Sequence, residues 1–188
     1  MPEADAEFAD AIRELPPHPD QRSLALVGFM GIGKTTVGDE LSRRLGWPLV
    51  DTDSEVETRS NKTIREIFDW FGEPRFRELE HDVIAAETKK DRRVLSLGGG
   101  SFVQANNREL LLRHCTVVYM AAPWSYIARH VQRLRNTRPL LRGRSPAELQ
   151  QLLVSRHPFY DQAHVRVAVP GRGAVQVAGR ILELLGLG

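Results

Sequence analysis

The residues with the clearest chemical meaning stand together near the start of the chain. Gly28-Phe29-Met30-Gly31-Ile32-Gly33-Lys34-Thr35 has the spacing GxxxxGK[ST]. Glycines at these positions let backbone N–H groups turn inward around phosphate oxygens, at a helix N-terminus whose dipole also favours anions. The apolar run Leu24-Ala25-Leu26-Val27 precedes the loop as a strand, and Thr36–Leu45 continues it as an amphipathic helix. That context is the one a phosphate loop needs. Backbone and side chains of Gly31, Ile32, Gly33, Lys34, Thr35 and Thr36 are therefore expected around ATP. Lys34 would reach the β- and γ-phosphates and Thr35 would offer its hydroxyl to Mg²⁺. The loop settles nucleotide binding and leaves the reaction open. The chain is short for a motor and has no Asn-Lys-x-Asp guanine signature, so a small-molecule kinase fits best.

A kinase needs a second set of groups for the acceptor. Asp51-Thr52-Asp53 ends the next apolar segment, and residues i and i+2 of a strand share a face, so both carboxylates are expected at the ligand edge of the sheet. The plainer alternative is that one Asp of the two, Asp53 for example, merely caps the following helix. Arg77 and Glu80 lie at i and i+3 on a predicted helix, where they form either a solvated ion pair or an anion clamp held in place by Glu80. Gly98-Gly99-Gly100 follows another strand and lets a ligand approach backbone amides, if it is more than a plain loop. Arg129–Arg144 holds six arginines and no acid. Such a run suits an anion such as ATP, and it lacks the interleaved aromatics that base stacking in a nucleic-acid site would need.

These groups must be positioned by elements that alternate. Strands are predicted at Leu24–Val27, Leu49–Asp51, Val94–Leu97, Val117–Met120 and Val165–Val169. Helices are predicted near 34–45, 63–70, 74–89, 106–113, 124–133, 146–155 and 174–185. Alternation of this kind gives an α/β fold with a parallel sheet covered on both faces. Residues 134–145 read as a surface loop. Residues 1–22 carry six acids and two arginines and read as an appendage, with Phe8, Ile12 and Leu15 at helical spacing before Pro16, Pro17 and Pro19. The expectation is a short amphipathic helix on a mobile tail, ahead of one domain over 23–188.

Composition narrows the classes further. The chain has 188 residues, 27% charged and 41% hydrophobic, with a formal charge of +2. No run approaches the roughly 20 apolar residues of a membrane span, the acidic N-terminus is unlike a secretory signal, and the lone Cys115 makes no internal disulfide. A cytoplasmic, monomeric enzyme with small-molecule substrates and neither nucleic-acid nor membrane partner is expected.

Taken in order, Gly28-Phe29-Met30-Gly31-x-Gly33-Lys34, Asp51-Thr52-Asp53, Phe76-Arg77-x-x-Glu80, Gly98-Gly99-Gly100, Arg138-Pro139-Leu140-Leu141 and Arg156-x-Pro158-x-Tyr160 resemble the motif set of the shikimate kinase family, from about Leu24 to Leu185. The resemblance implies a three-layer α/β/α sandwich with five parallel strands in the order 2-3-1-4-5 and a mobile lid near 134–145. It implies MgATP-dependent phosphorylation of the 3-hydroxyl of shikimate, on the route to aromatic amino acids. Under it, Asp53 corresponds to the carboxylate that binds the reacting hydroxyl, and Arg77 and Arg156 to the pair that grips the shikimate carboxylate. Gly99 corresponds to a backbone donor to the substrate, Glu80 to the residue that orients Arg77, and Asp51 to a group behind the Mg²⁺ ligands. Arg138 corresponds to the lid arginine on the phosphates, and Arg133 and Arg172 to arginines flanking adenine. Ile32 stands where the family has a small residue, which leaves open whether its side chain turns outward or crowds the loop. Two rivals remain at this point: a kinase of another small polyol acid such as gluconate, and a catalytically silent nucleotide-binding module.

Overall fold

A computed structural model describes residues 9–16, 22–134 and 143–188, with the side chains of 132–134 outside the description. Six strands form one sheet: β1 (Ala11–Ile12), β2 (Ser23–Val27), β3 (Leu49–Asp51), β4 (Val94–Ser96), β5 (Cys115–Ala121) and β6 (Val165–Ala168). Their order is β1-β6-β5-β2-β4-β3. Strands β2 to β6 run parallel, and their order corresponds to the expected 2-3-1-4-5. The sixth strand was not expected. β1 pairs antiparallel with β6, through Ala11 with Arg166 and Ile12 with Val165.

This corrects the expected N-terminal helix: over Ala11–Ile12 the chain is a strand. The reason is tertiary. The free edge of β6 offers unpaired backbone groups, and Asp10 anchors the segment by accepting from the Ala168 N–H at 2.8 Å, Arg172 at 2.8 Å and Arg180 at 2.9 Å. Burial pushes the Asp10 carboxyl up, but these three bonds outweigh it and hold the group at about 2.

The helices are α1 (Lys34–Leu45), α2 (Thr52–Ser60), α3 (Ile64–Glu87), α4 (Ala105–His114), α5 (Trp124–Leu134), α6 (Pro146–Tyr160) and α7 (Ala174–Leu185). Successive side chains of β2 alternate between two cores, because strand residues face opposite sides of a sheet. Leu24 and Leu26 join Val37 and Leu41 of α1, Ile127 and Val131 of α5 and Ile181 of α7. Ala25 and Val27 join Ile84 of α3 and Leu111 of α4 on the other face. A third cluster, Val56, Ile67, Phe76 and Val83, ties α2 to α3 beside the acceptor side of the sheet. The two helices expected at 63–70 and 74–89 are one element kinked at Gly72, whose φ of 77° no ordinary helical residue adopts. No helix among the described residues is long and apolar enough to cross a membrane.

Candidate active site

The C-terminal edges of β2, β3 and β4 deliver the functional side chains to one cavity of ≈ 330 Å³. Its walls include Gly31, Gly33, Lys34, Thr35 and Thr36 from the phosphate loop and Asp51, Asp53, Arg77, Glu80 and Gly98–Gly100 from the acceptor side. Two groups of residues far apart in sequence, each singled out by its chemistry, thus meet in one space. That is the binding crevice expected outside the carboxyl ends of parallel strands.

Lys34 is buried, and its ammonium donates to the carbonyls of Gly28 at 2.9 Å and Phe29 at 3.0 Å. The loop therefore holds the cation at the floor of the site through its own backbone. Ile32 is 3% exposed and packs in the core cluster with Phe29, Met30 and Val37. Its side chain turns inward, which makes it an apolar anchor under the loop rather than an outward projection.

The Thr35 hydroxyl donates to Asp51 Oδ2 at 2.7 Å and lies 3.1 Å from the Ser96 hydroxyl, which itself donates to Asp51 at 3.2 Å. These are hard oxygen donors at the mouth of a phosphate loop, the set a Mg²⁺ ion bound mainly by substrate phosphates and water would use. The other oxygen of Asp51 accepts from the backbone N–H groups of Asp53 at 3.1 Å and Ser54 at 3.2 Å. Asp51 is therefore the helix cap, the plainer alternative for one of the two carboxylates, and one expectation is corrected. The strand ends at Asp51, so Asp53 lies in the first turn of α2 and not two residues along a strand. Both carboxylates nevertheless line the cavity, because a capped helix starting at Asp51 turns its first residues back toward the sheet edge.

Arg77 and Glu80 form a buried pair. The Arg77 side chain is 15% exposed and that of Glu80 1%, with Nη1 donating to Oε2 at 2.8 Å. Glu80 also accepts from Ser101 Oγ at 2.5 Å, and Arg77 also donates to Glu73 at 2.8 Å. Burial pushes the Glu80 carboxyl up, against the pull of Arg77 and Ser101. Burial works to lower the Arg77 value, and the carboxylates of Glu80 and Glu73 override it. The solvated ion pair is thus excluded: the guanidinium is aimed into the cavity by a carboxylate that water does not reach. A Cβ on Gly100 would stand 2.8 Å from Arg77 Nη2, so glycine here leaves the guanidinium its place.

Arg156 reaches the same corner from α6. It is 7% exposed, donates to the Gly99 carbonyl at 3.0 Å and lies with its guanidinium 5.5 Å from the Phe29 ring centroid. Tyr160 also donates to the Gly99 carbonyl, and burial pushes its phenol up. Gly99 is thereby fixed from the α6 side.

Other expected residues lie elsewhere. Arg172 donates to Asp10 and to the Ala168 carbonyl at 2.9 Å and is not in the cavity wall. Arg133 is on α5 with its side chain outside the described residues, as are Arg138 and the lid segment 135–142. Sequence reasoning missed Ser96 and His130, both in the cavity wall. Ser96 carried a signal, a polar residue closing an apolar strand at the ligand edge. His130, a lone histidine in a predicted helix, carried none.

A five-stranded parallel sheet with a phosphate loop on its central strand and an acid–arginine acceptor pocket beside it defines a P-loop kinase of a small anionic alcohol. Comparison with known proteins sharpens this. The model of the family described as shikimate kinase matches residues 30–186. A shikimate kinase of Cereibacter sphaeroides is 42% identical over 167 residues, 88% of this chain and 83% of its own. One of Oceanobacillus iheyensis is 35% identical over 167 residues, 89% of this chain and 91% of its own. The structure of shikimate kinase from Acinetobacter baumannii in complex with shikimate matches with a TM-score of 0.80 and 36% identity, over 87% of this chain and 92% of that one. The chain belongs to the shikimate kinase family. A gluconokinase from Sinorhizobium meliloti shares the fold with a TM-score of 0.52 at 15% identity, and the likeness extends no further than the fold.

Proposed function

We propose that this protein transfers the γ-phosphoryl group of ATP to the 3-hydroxyl of shikimate, giving shikimate 3-phosphate and ADP on the way to aromatic amino acids. The observation that carries the reading is Arg77, held by buried Glu80, in the wall of a cavity that the phosphate loop closes on the other side, with Arg156 bonded behind it to the carbonyl of Gly99 of the same wall. Two guanidiniums match one carboxylate in forked geometry. They fix the ring of the acceptor so that its hydroxyl faces the phosphates, a placement effect. Asp53, on the same wall, aligns that hydroxyl and takes its proton late in transfer. Lys34 leaves the loop carbonyls for the phosphates, and Arg138 of the lid joins it. Arg133 flanks the adenine.

Thr35, with Asp51 and Ser96 behind it, would hold Mg²⁺, which supplies charge neutralisation on the phosphates when bound. The substrates are small molecules, with no nucleic-acid or membrane partner, and the protein acts as a cytoplasmic monomer. A coupled assay with shikimate, quinate and gluconate as acceptors tests the reading. Turnover should be fastest with shikimate by a wide margin, and equal or faster turnover with gluconate would reassign the acceptor.

A further inference from the structure

His130 lies on α5 between Ile127 and Val131, each 1% exposed and packed in the core. Those two residues fix which face of α5 meets the sheet. His130 borders that face and is in the wall of the cavity that holds Gly31, Gly33 and Lys34. Its ring is held twice. It stacks on Tyr126 with centroids 4.6 Å apart and an interplanar angle of 27°. Its Nδ1 lies 2.9 Å from the Tyr126 carbonyl oxygen. A carbonyl only accepts, so Nδ1 carries the hydrogen of that bond, and Nε2 is the polar atom the ring has left.

We propose that His130 is a nucleotide-binding residue of this kinase, whose Nε2–H donates to a phosphate oxygen of ATP. The inference rests on the reading of the phosphate loop as the ATP site. Because Nδ1–H is committed to Tyr126, a donor at Nε2 exists only in the imidazolium form, so the ring that meets the phosphate is charged. Charged groups of both signs surround the cavity. Lys34 of α1 donates to the loop carbonyls, Asp51 of β3 accepts from Thr35, and Asp53 of α2 lies on the acceptor side. On α3, Glu80 is paired with Arg77. On α6, packed on α5, Glu148 caps its own helix through Ser145, Arg156 and Tyr160 donate to the Gly99 carbonyl, and His157 is the remaining charged or titratable residue. On α5 itself Arg129 lies 6.0 Å from the Tyr126 ring. The phosphate chain is the dominant negative charge brought to this end of the cavity, where an Nε2–H donor would meet it.

Titration calorimetry of ATP with magnesium, at one pH in buffers of different ionisation enthalpy, tests the proposal with wild type, His130→Gln and His130→Ala. Wild type should take up roughly half a proton or more per ATP beyond the uptake of His130→Gln. ATP affinity should fall about tenfold or more in His130→Ala and less in His130→Gln, which keeps a neutral donor. Shikimate affinity measured without nucleotide should stay within about twofold in both, which also shows that the variants fold. Equal proton uptake in wild type and His130→Gln, or unchanged ATP affinity in His130→Ala, overturns the proposal while leaving the kinase reading intact. A wild type that binds no ATP overturns both.

Discussion

Replacing Glu80 by alanine tests whether the acceptor corner is built as an interior feature. The Glu80 side chain is 1% exposed and accepts from Arg77 at 2.8 Å and Ser101 at 2.5 Å. Removing one partner of a buried pair typically costs about 3–5 kcal/mol, because the other charge stays behind without compensation. Here Arg77 is 15% exposed and keeps Glu73, so the lower end applies, about 3 kcal/mol. For a domain of this size that corresponds to a fall in Tm of roughly 6–12 °C. Glu80→Gln keeps the volume and a polar group for both Ser101 and Arg77, and should lose only about 1 kcal/mol. Urea unfolding followed by circular dichroism measures both. A Glu80→Ala variant within about 0.5 kcal/mol of wild type would refute the buried pair and return Arg77–Glu80 to an ordinary surface ion pair.

Three further changes probe other parts of the account. Asp10 is held at about 2 in the folded chain, against an ordinary carboxyl near ~3.9, so its contribution is present above that ordinary value and is lost as pH falls toward about 2. Asp10→Ala should therefore cost about 1 kcal/mol at pH 7 after solvent screening and markedly less at pH 2, where about half of the folded carboxyls carry a proton, and equal losses at both pH values would contradict the anchor. Gly100→Ala should push Arg77 aside, since the new Cβ would stand 2.8 Å from its Nη2, and should weaken shikimate binding by on the order of tenfold while ATP binding holds. Ile32→Ala removes a core side chain from beneath the phosphate loop and should cost about 2–4 kcal/mol by denaturant unfolding, whereas a cost below about 0.5 kcal/mol would mean the side chain is not an anchor.

Much of the molecule was legible from residue order. The phosphate loop, α1 over Lys34–Leu45 and the five parallel strands follow from glycine spacing and apolar runs, which depend on local pattern. What escaped depends on partners far away in sequence. α2 has Val56 as its only buried apolar residue, so it shows no helical periodicity, and its start is set by the Asp51 cap. β1 is two residues long and exists because β6 offers an edge and Arg172 and Arg180 hold Asp10. The acceptor pair was visible as spacing, yet its burial was not, because Ser101, on a separate element, is what meets Glu80 from the other side. His130 was invisible, because only the tertiary fold sets one histidine of α5 beside a loop a hundred residues earlier.

The central claim is that Arg77 and Arg156 grip the acceptor and not the nucleotide. Titration calorimetry of shikimate and of ATP, each alone, on Arg77→Lys and Arg156→Lys addresses it directly. Lysine keeps the charge and loses the fork. A charge-assisted bond is worth roughly 1.5–3 kcal/mol, so shikimate affinity should fall on the order of 10-fold or more in each variant, with ATP affinity within about twofold of wild type. A loss of ATP affinity as large as the loss for shikimate would place these arginines with the nucleotide or with the fold, and the acceptor assignment would be wrong.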